Sequence, residues 1–185
     1  MTSTGTLVAD ELYTDLERAL RAAKTDDTTL YKAIVELPFE HAKEMAFLFI
    51  GFLCYFSLDE QAGVLRLEAA TKNEYLKQAM ASYDSDGTGF TFPLTATENS
   101  IVQAALKREI VGLTDWDDMR RPGVEEGVAR LNQATSGIAY SMCAPIGDVG
   151  VLGFNLFQPK EALPPESEDF VRRYSQLVTD ILKTA

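Results

Sequence analysis

Residues 45–58 read MAFLFIGFLCYFSL, and this uncharged stretch decides the fold. A membrane-spanning helix needs roughly 20 consecutive apolar residues, so the run is too short to cross a bilayer. Its second half, from Phe52 to Leu58, is rich in aromatic residues, which favour a buried strand. The stretch therefore predicts a central strand on which the rest of the chain packs.

The residues that follow predict a partner for this strand. DEQAG at 59–63 is typical of a turn, and VLRLEAA at 64–70 begins by alternating apolar and charged side chains. Such alternation indicates a strand with one exposed face. We expect an antiparallel hairpin whose first strand is central in a sheet and whose second strand lies nearer the edge.

The composition of the chain limits its partners and its location. The 185 residues are 46% hydrophobic, which suits one domain with a substantial core. The formal net charge of −11 argues against nucleic acid or a membrane surface as a partner, because both need a basic face. Residues 1–12 (MTSTGTLVADEL) lack the basic region and apolar stretch that are typical of a signal peptide, so we expect a cytoplasmic protein. Cys54 and Cys143 lie in apolar runs and are expected to be buried free thiols.

Few residues suit catalysis or metal binding. His41 is the single histidine and lies in a polar segment without an orienting partner, so we predict no catalytic site and no enzyme activity. Asp115, Asp117 and Asp118 lack the alternating ligand loop of calcium sites. They indicate a helix cap and a solvated turn, and we predict no metal site.

Four segments carry a resemblance to a known family. They read GFLCYFSLDEQAGVLRL (51–67), FPLTATENSIVQAALKREIVGLTDW (92–116), SGIAYSMCAPIGDVGVLGFNLF (136–157) and PESEDFVRRYSQLVTDIL (165–182). Their order, with helical patterns before and between them, resembles a GAF domain over residues 28–182. The resemblance implies an α+β fold with a central antiparallel sheet of five or six strands flanked by helices. It also implies that the N- and C-terminal helices pack together.

The resemblance divides the chain into three parts and gives it a function. Residues 1–27 would be an N-terminal helix for dimerisation and signalling, 28–165 the sensor domain, and 166–185 a C-terminal helix of the same role. The implied function is a regulatory sensor that binds a small molecule. The alternative is a ligand-free dimerisation module of a signalling protein.

The resemblance also implies a ligand cavity between the sheet and the helices on one of its faces. Aromatic side chains there would stack on a planar ligand, and polar ones would orient it. The expected ligand-binding residues are Phe90, Phe92, Thr95, Asn99, Asp115, Trp116, Tyr140 and Met142. The alternative for the apolar members of this set is that they only fill the core.

The sequence does not name the ligand. Cyclic-nucleotide GAF domains carry an asparagine–lysine–phenylalanine–aspartate–glutamate signature, whereas Asp59-Glu60 here stands alone in a turn. Bilin-binding members attach the pigment through a cysteine that is typically near a histidine or within an aspartate-X-cysteine-phenylalanine run. Here Cys54 is followed by Tyr55 and Cys143 by Ala144, and His41 is far from both in sequence. GAF-type methionine sulfoxide reductases need a set of cysteines that this chain lacks. The ligand therefore stays unspecified, with a cyclic nucleotide left open, and the identity of any cofactor stays unknown.

Apolar seams on the two terminal helices predict a homodimer. The seam residues recur at spacings of four, three and four, and they are Leu12, Leu16, Ala19 and Ala23, then Phe170, Tyr174, Leu177 and Ile181. One stripe on each helix suffices to cover the sheet. Further apolar residues beside the seams are then left for a partner, namely Tyr13, Leu20, Val171, Val178 and Leu182. We therefore expect two copies to pair through a bundle of these helices.

Overall fold

The computed structural model describes residues 10–83 and 87–184, where the chain forms a six-stranded antiparallel sheet with helices on both faces. The helices are α1 (Asp10–Ala23), α2 (Asp27–Glu36), α3 (Ala42–Phe47), α4 (Glu74–Ala79), α5 (Ser100–Lys107), α6 (Val128–Ser136) and α7 (Pro165–Lys183). The strands are β1 (Ile50–Asp59), β2 (Val64–Ala70), β3 (Thr91–Pro93), β4 (Val111–Leu113), β5 (Tyr140–Ile146) and β6 (Gly150–Leu156). The predicted α+β fold class is confirmed.

The order of strands in the sheet is β3-β2-β1-β6-β5-β4. The predicted central strand is β1, which pairs with β2 on one side and β6 on the other. The hairpin prediction is therefore confirmed, with β2 nearer the edge than β1. In the middle of the sheet Gly153 of β6 lies opposite Cys54 of β1 and opposite Cys143 of β5.

Side chains that alternate along the strands build two separate cores. One face of the sheet, with Leu53, Tyr55 and Phe154, packs against α1, α2 and α7. The opposite face, with Phe52 and Phe56, packs against the segments between β2 and β5. The central strands β1 and β6 thus contribute side chains to both cores.

The terminal helices pack together on the first of these faces, as predicted. Tyr174 of α7 donates a hydrogen bond from its buried hydroxyl to the carbonyl oxygen of Ile34, across 2.7 Å. Lys24 Nζ, just after α1, donates to the carbonyl oxygen of Ile181 across 2.7 Å. These contacts fix α7 against both α1 and α2.

The apolar residues that were expected to face a partner are mostly used inside the protomer. Leu20, Val171 and Val178 have no exposed surface, because they complete the core between the helices and the sheet. Tyr13 and Leu182 are half-buried against the same core. The expectation that the apolar residues beside the seams are left for a partner is therefore wrong for Leu20, Val171 and Val178.

The structure leaves the two ends of the chain undescribed. Residues 1–9 of the predicted segment 1–27, and residue 185 of the segment 166–185, lie outside the described residues. Within the described ranges, no helix combines the length and the apolar character that crossing a bilayer would take.

Candidate ligand-binding site

A cavity of about 120 Å³ lies on the face of the sheet opposite α1 and α7. Strands β1, β2, β5 and β6 form its floor, and α4, β3, α5, α6 and the segment around the 3₁₀ helix Trp116–Met119 form its walls. The lining is mainly apolar and aromatic. It consists of Phe52, Cys54, Phe56, Leu67, Leu76, Ala79, Met80, Tyr83, Phe90, Phe92, Ile101, Trp116, Met119, Arg120, Arg121, Ala129, Asn132, Ser141, Cys143, Gly153 and Asn155.

A glycine opens the floor of the cavity. Gly153 lies between Cys54 and Cys143 in the register of the three central strands, and all three residues line the cavity. A Cβ atom built on Gly153 would meet its nearest neighbour, the carbonyl oxygen of Cys54, at 3.6 Å, an ordinary van der Waals contact. There is therefore room above Gly153 that a larger side chain would occupy.

A chain of hydrogen bonds joins the wall of the cavity to its floor. The indole Nε1 of Trp116 donates to Ser141 Oγ across 2.9 Å. Ser141 Oγ in turn donates to Asn155 Oδ1 across 2.8 Å. Asn155 completes the chain by donating from Nδ2 to the carbonyl oxygen of Phe52, at 3.4 Å. Because all four residues line the cavity, a ligand that displaces Trp116 would act directly on β5, β6 and β1.

The position of Trp116 is fixed by its backbone as well as its ring. Its amide donates to Oε1 of Gln133 on α6 across 3.0 Å, and Gln133 Nε2 donates back to the carbonyl oxygen of Thr114 at 2.9 Å. The indole also meets the ring of Phe52 edge to face, with centroids 6.2 Å apart. Such pairs stabilise each other by about 0.5–1.5 kcal/mol beyond their burial.

Three of the eight predicted site residues line the cavity: Phe90, Phe92 and Trp116. Phe92 of β3 packs edge to face on Phe56 of β1, with centroids 5.6 Å apart. Phe90 precedes β3 and carries the guanidinium of Arg121 over its ring, 4.2 Å from the centroid. Phe90, Phe92 and Trp116 therefore meet at one cavity, where β3 with the residue before it and the segment after β4 contribute to the wall.

Tyr140 and Met142 lie on the opposite face of the sheet from the cavity. Both belong to the core under the terminal helices, and their neighbours Ser141 and Cys143 face the cavity instead. The expectation that these two side chains lie near the cavity was wrong, because successive residues of a strand point to opposite faces of the sheet and the face with Ser141 and Cys143 is the one at the cavity. Tyr140 instead lies across the β4 backbone, where its hydroxyl occupies the space beside Gly112.

The polar residues Thr95, Asn99 and Asp115 do not line the cavity. Asn99 caps α5 by accepting hydrogen bonds from the amides of Ile101 and Val102, and its Nδ2 donates to the carbonyl oxygen of Arg120. Thr95 is exposed in the turn that follows β3. In this arrangement Asn99 shapes the wall indirectly by holding the backbone at residue 120.

Asp115 is engaged in a surface network next to the site. Its Oδ1 caps the 3₁₀ helix through the amide of Asp117, and its Oδ2 accepts a hydrogen bond from Arg130 Nη2 at 2.6 Å. The hydrogen bond from Arg130 lowers the pKa of the Asp115 carboxyl below its ordinary value. Asp117 also accepts from the amide of Gly127 and lies 3.1 Å from Arg130. The predicted cap is confirmed.

The two thiols on the floor are poor nucleophiles. Cys54 and Cys143 are free, and burial raises the pKa of each to about 12. A thiol must ionise to attack an electrophile, so both are uncharged near neutral pH. They contribute soft, uncharged surface to the cavity.

No protein-family model and no characterised protein matches the sequence. Solved structures do match. The GAF domain of a phosphoenolpyruvate-protein phosphotransferase from Coxiella burnetii superimposes with a TM-score of 0.61, covering 95% of each chain at 14% identity. This chain has the GAF-domain fold.

Structures from a phytochrome and from a chemotaxis protein also match. The phycocyanobilin-bound GAF domain of a cyanobacterial phytochrome gives a TM-score of 0.60 at 13% identity, covering 97% of this chain and 96% of that one. A methyl-accepting chemotaxis protein, residues 122 to 287, gives 0.59 at 12% identity, with 94% and 95% covered. At these identities the likeness concerns the fold alone.

Several residues of this GAF-fold cavity were not predicted from the sequence. Ser141 and Asn155 could have been found by extending the alternation of β5 and β6 to the face that carries Cys143. Arg120, Arg121 and Asn132 had no such signal. The two arginines lie in an irregular segment, and only the packing of that segment over the sheet places them in the wall.

Proposed function

We propose that this protein is a regulatory sensor in which a small molecule binds the cavity over β1, β6 and β5. The observation that carries the proposal is the cavity itself, a concave aromatic surface with a few convergent polar groups. Such surfaces are typical of small-molecule sites in proteins. The sensory and regulatory domains among the solved neighbours support this proposal, and so does the bilin held by one of them.

The proposal is for binding without catalysis. The thiols in the cavity are held in their uncharged form by burial, as described above. His41, the single histidine, lies beside α1 on the other side of the molecule. Among the described residues of the lining, no group is thus equipped as a nucleophile with a nearby base.

The contacts of the central strands supply a route for a signal. Phe52 and Cys54 face the cavity, while Leu53 between them faces the terminal helices. Ser167 in the first turn of α7 donates a hydrogen bond to the carbonyl oxygen of Leu48, just before β1, across 3.0 Å. A ligand that moves β1 would therefore also move the start of α7. Transmission by a small shift of packed elements is a common form of switching.

A homodimer through α1 and α7 is the second part of the proposal. The apolar surface left for it is smaller than the sequence suggested, and it includes the half-buried Tyr13, Leu177 and Leu182. Light scattering of the intact protein and of Leu177→Glu tests this part. Ile181 is unsuitable for the test because it is buried in the protomer. A monomeric intact protein would remove the homodimer and leave the ligand proposal standing.

Native mass spectrometry of freshly purified protein tests the ligand proposal. We expect a retained small mass, or stabilisation by members of a compound library in a thermal-shift screen. The matched variant is Gly153→Val, whose branched side chain occupies the space above the floor. It should remain folded by circular dichroism and lose both the retained mass and the stabilisation.

Two outcomes would contradict the sensor. One is protein that retains no small molecule and responds to no compound, which would favour the alternative, a ligand-free dimerisation module. The other is a ligand that Gly153→Val binds as tightly as the intact protein does, which would place the site elsewhere.

A further inference from the structure

The charge of the cavity wall is opposite to the charge of the chain. The protein carries a formal net charge of −11, yet the charged residues that line the cavity are Arg120 and Arg121. No aspartate or glutamate is present among the described residues of the lining. Within the described ranges, neither guanidinium forms a salt bridge, whereas Arg130 nearby forms two. Among the described residues, the lining of the cavity therefore carries positive charge and no carboxylate.

Arg120 has a donor that lacks an acceptor. Its side chain is half-buried, and its Nη1 atom is buried without a hydrogen-bond partner in the described part of the chain. A guanidinium has donors and no acceptor, so only an acceptor can satisfy this atom. Leaving a buried donor unpaired lowers stability, and a ligand oxygen would remove that penalty.

Asn132 of α6 supplies a second donor in the same wall. Only 2% of the residue is exposed. Its Oδ1 accepts a hydrogen bond from Ser82 Oγ across 2.7 Å, while its Nδ2 has no partner among the described residues. A buried amide side chain with half of its hydrogen-bonding capacity unused is unusual in a folded protein. Arg120 and Asn132 both line the cavity, and each has a buried donor atom without a partner among the described residues.

The rest of the cavity requires an apolar ligand body of limited size. The rings of Phe52, Phe92 and Trp116 line it, and the volume is about 120 Å³. Pockets that enclose drug-sized ligands have volumes of roughly 300–1,000 Å³. A single ring or a short branched chain is therefore a better match than a nucleotide.

We infer that the ligand is a small apolar monocarboxylate whose carboxylate is bound by Arg120 and Asn132 and whose body packs among the aromatic rings. This inference rests on the proposed sensor function and names its ligand class. An arginine is well suited to the role, because its planar fork donates two parallel hydrogen bonds to a carboxylate. Arg121, stacked on Phe90, adds positive charge at the same wall.

Isothermal titration calorimetry with matched acids and amides tests the inference. The probes are benzoate against benzamide, and 3-methylbutanoate against 3-methylbutanamide, at neutral pH. We expect at least one acid to bind at least about tenfold more tightly than its amide, a difference that corresponds to about 1.4 kcal/mol. Arg120→Met, which keeps much of the length of the side chain, should lose that preference. The control Arg18→Gln removes an equal charge from the exposed face of α1 and should keep it.

The comparison of acid with amide on the intact protein needs no variant, so a poorly folded Arg120→Met would not weaken the test. An amide that binds as tightly as its acid would overturn the carboxylate inference and leave the sensor proposal intact. Acids that bind equally well to Arg120→Met would overturn the role of Arg120. If no acid of the panel binds, the ligand class is wrong, and the sensor proposal is judged on the mass spectrometry and Gly153→Val.

Discussion

The indole of Trp116 and the hydroxyl of Ser141 are joined by a 2.9 Å hydrogen bond that ties the wall of the cavity to β5. Both residues are almost fully buried, so water does not compete for this bond. Ser141 also donates to Asn155 on the neighbouring strand. One hydroxyl group therefore connects the residue expected to sense the ligand with two central strands.

Replacing Ser141 by alanine should destabilise the protein by about 1–3 kcal/mol, because a buried indole donor and a buried amide acceptor both lose their partner. Urea unfolding measures the change. Ser57→Ala is the matched control, since the Ser57 hydroxyl donates to the partly exposed Glu68 and its loss should cost less. Equal losses in the free energy of unfolding would show that the hydrogen bonds of Ser141 stabilise the protein no more than the Ser57–Glu68 bond does.

Two strand glycines should respond oppositely to a methyl group. Gly112→Ala places a Cβ against the Tyr140 hydroxyl on β5, and overpacking of this kind typically costs about 1–3 kcal/mol. Gly153→Ala meets only ordinary contacts, and the less flexible unfolded chain should make it neutral or stabilising by up to about 1 kcal/mol. Thermal unfolding of both variants measures this. Loss of stability in Gly153→Ala would mean that the space above the floor is smaller than described.

The Asp115–Arg130 pair should make stability depend on pH on the acid side. The pKa of Asp115 in the folded state is depressed, chiefly by the hydrogen bond from Arg130. Its contribution is therefore fully present above the ordinary value of 3.8 and is lost as the pH falls through the folded-state pKa. The Asp115→Asn variant should be less stable than the intact protein at neutral pH, and the gap should close at low pH.

Urea unfolding across the acid range measures that gap. Asparagine can still accept the hydrogen bond from the Asp117 amide, so the cap is kept while the charge is lost. Asp118→Asn, at an exposed neighbouring position, serves as the control. A gap that does not change with pH would assign the effect to the cap instead of the ion pair.

The strands and helices were predicted well where a sequence pattern favoured a single structure. The uncharged run containing Phe52–Leu58 could only be buried on both faces, which makes it a central strand. The turn at 59–63 then fixed its hairpin partner. The resemblance to GAF domains implied that the terminal helices pack together, and α1 and α7 do so over one face of the sheet.

The cavity lining was harder to predict, because it depends on which face of each strand is turned to the cavity and on a segment without regular secondary structure. The pattern of β5 is apolar on both faces, so periodicity did not decide whether Tyr140 or Ser141 faces the cavity. The size and aromaticity of Tyr140 favoured the wrong choice. Arg120 and Asn132 line the same cavity because α6 packs against both α4 and the 3₁₀ helix Trp116–Met119, and these tertiary contacts have no local signal in the sequence.

The most direct test of the sensor is a titration followed by the emission of Trp116, the single tryptophan of the chain. The titrant is a compound retained from cells or found by the thermal-shift screen, and Gly153→Val is measured beside the intact protein. The account predicts a saturable change in emission for the intact protein and none for Gly153→Val at the same concentrations. A compound that binds by calorimetry while the emission stays unchanged, or that shifts the emission of both proteins equally, would contradict a site over β1, β6 and β5.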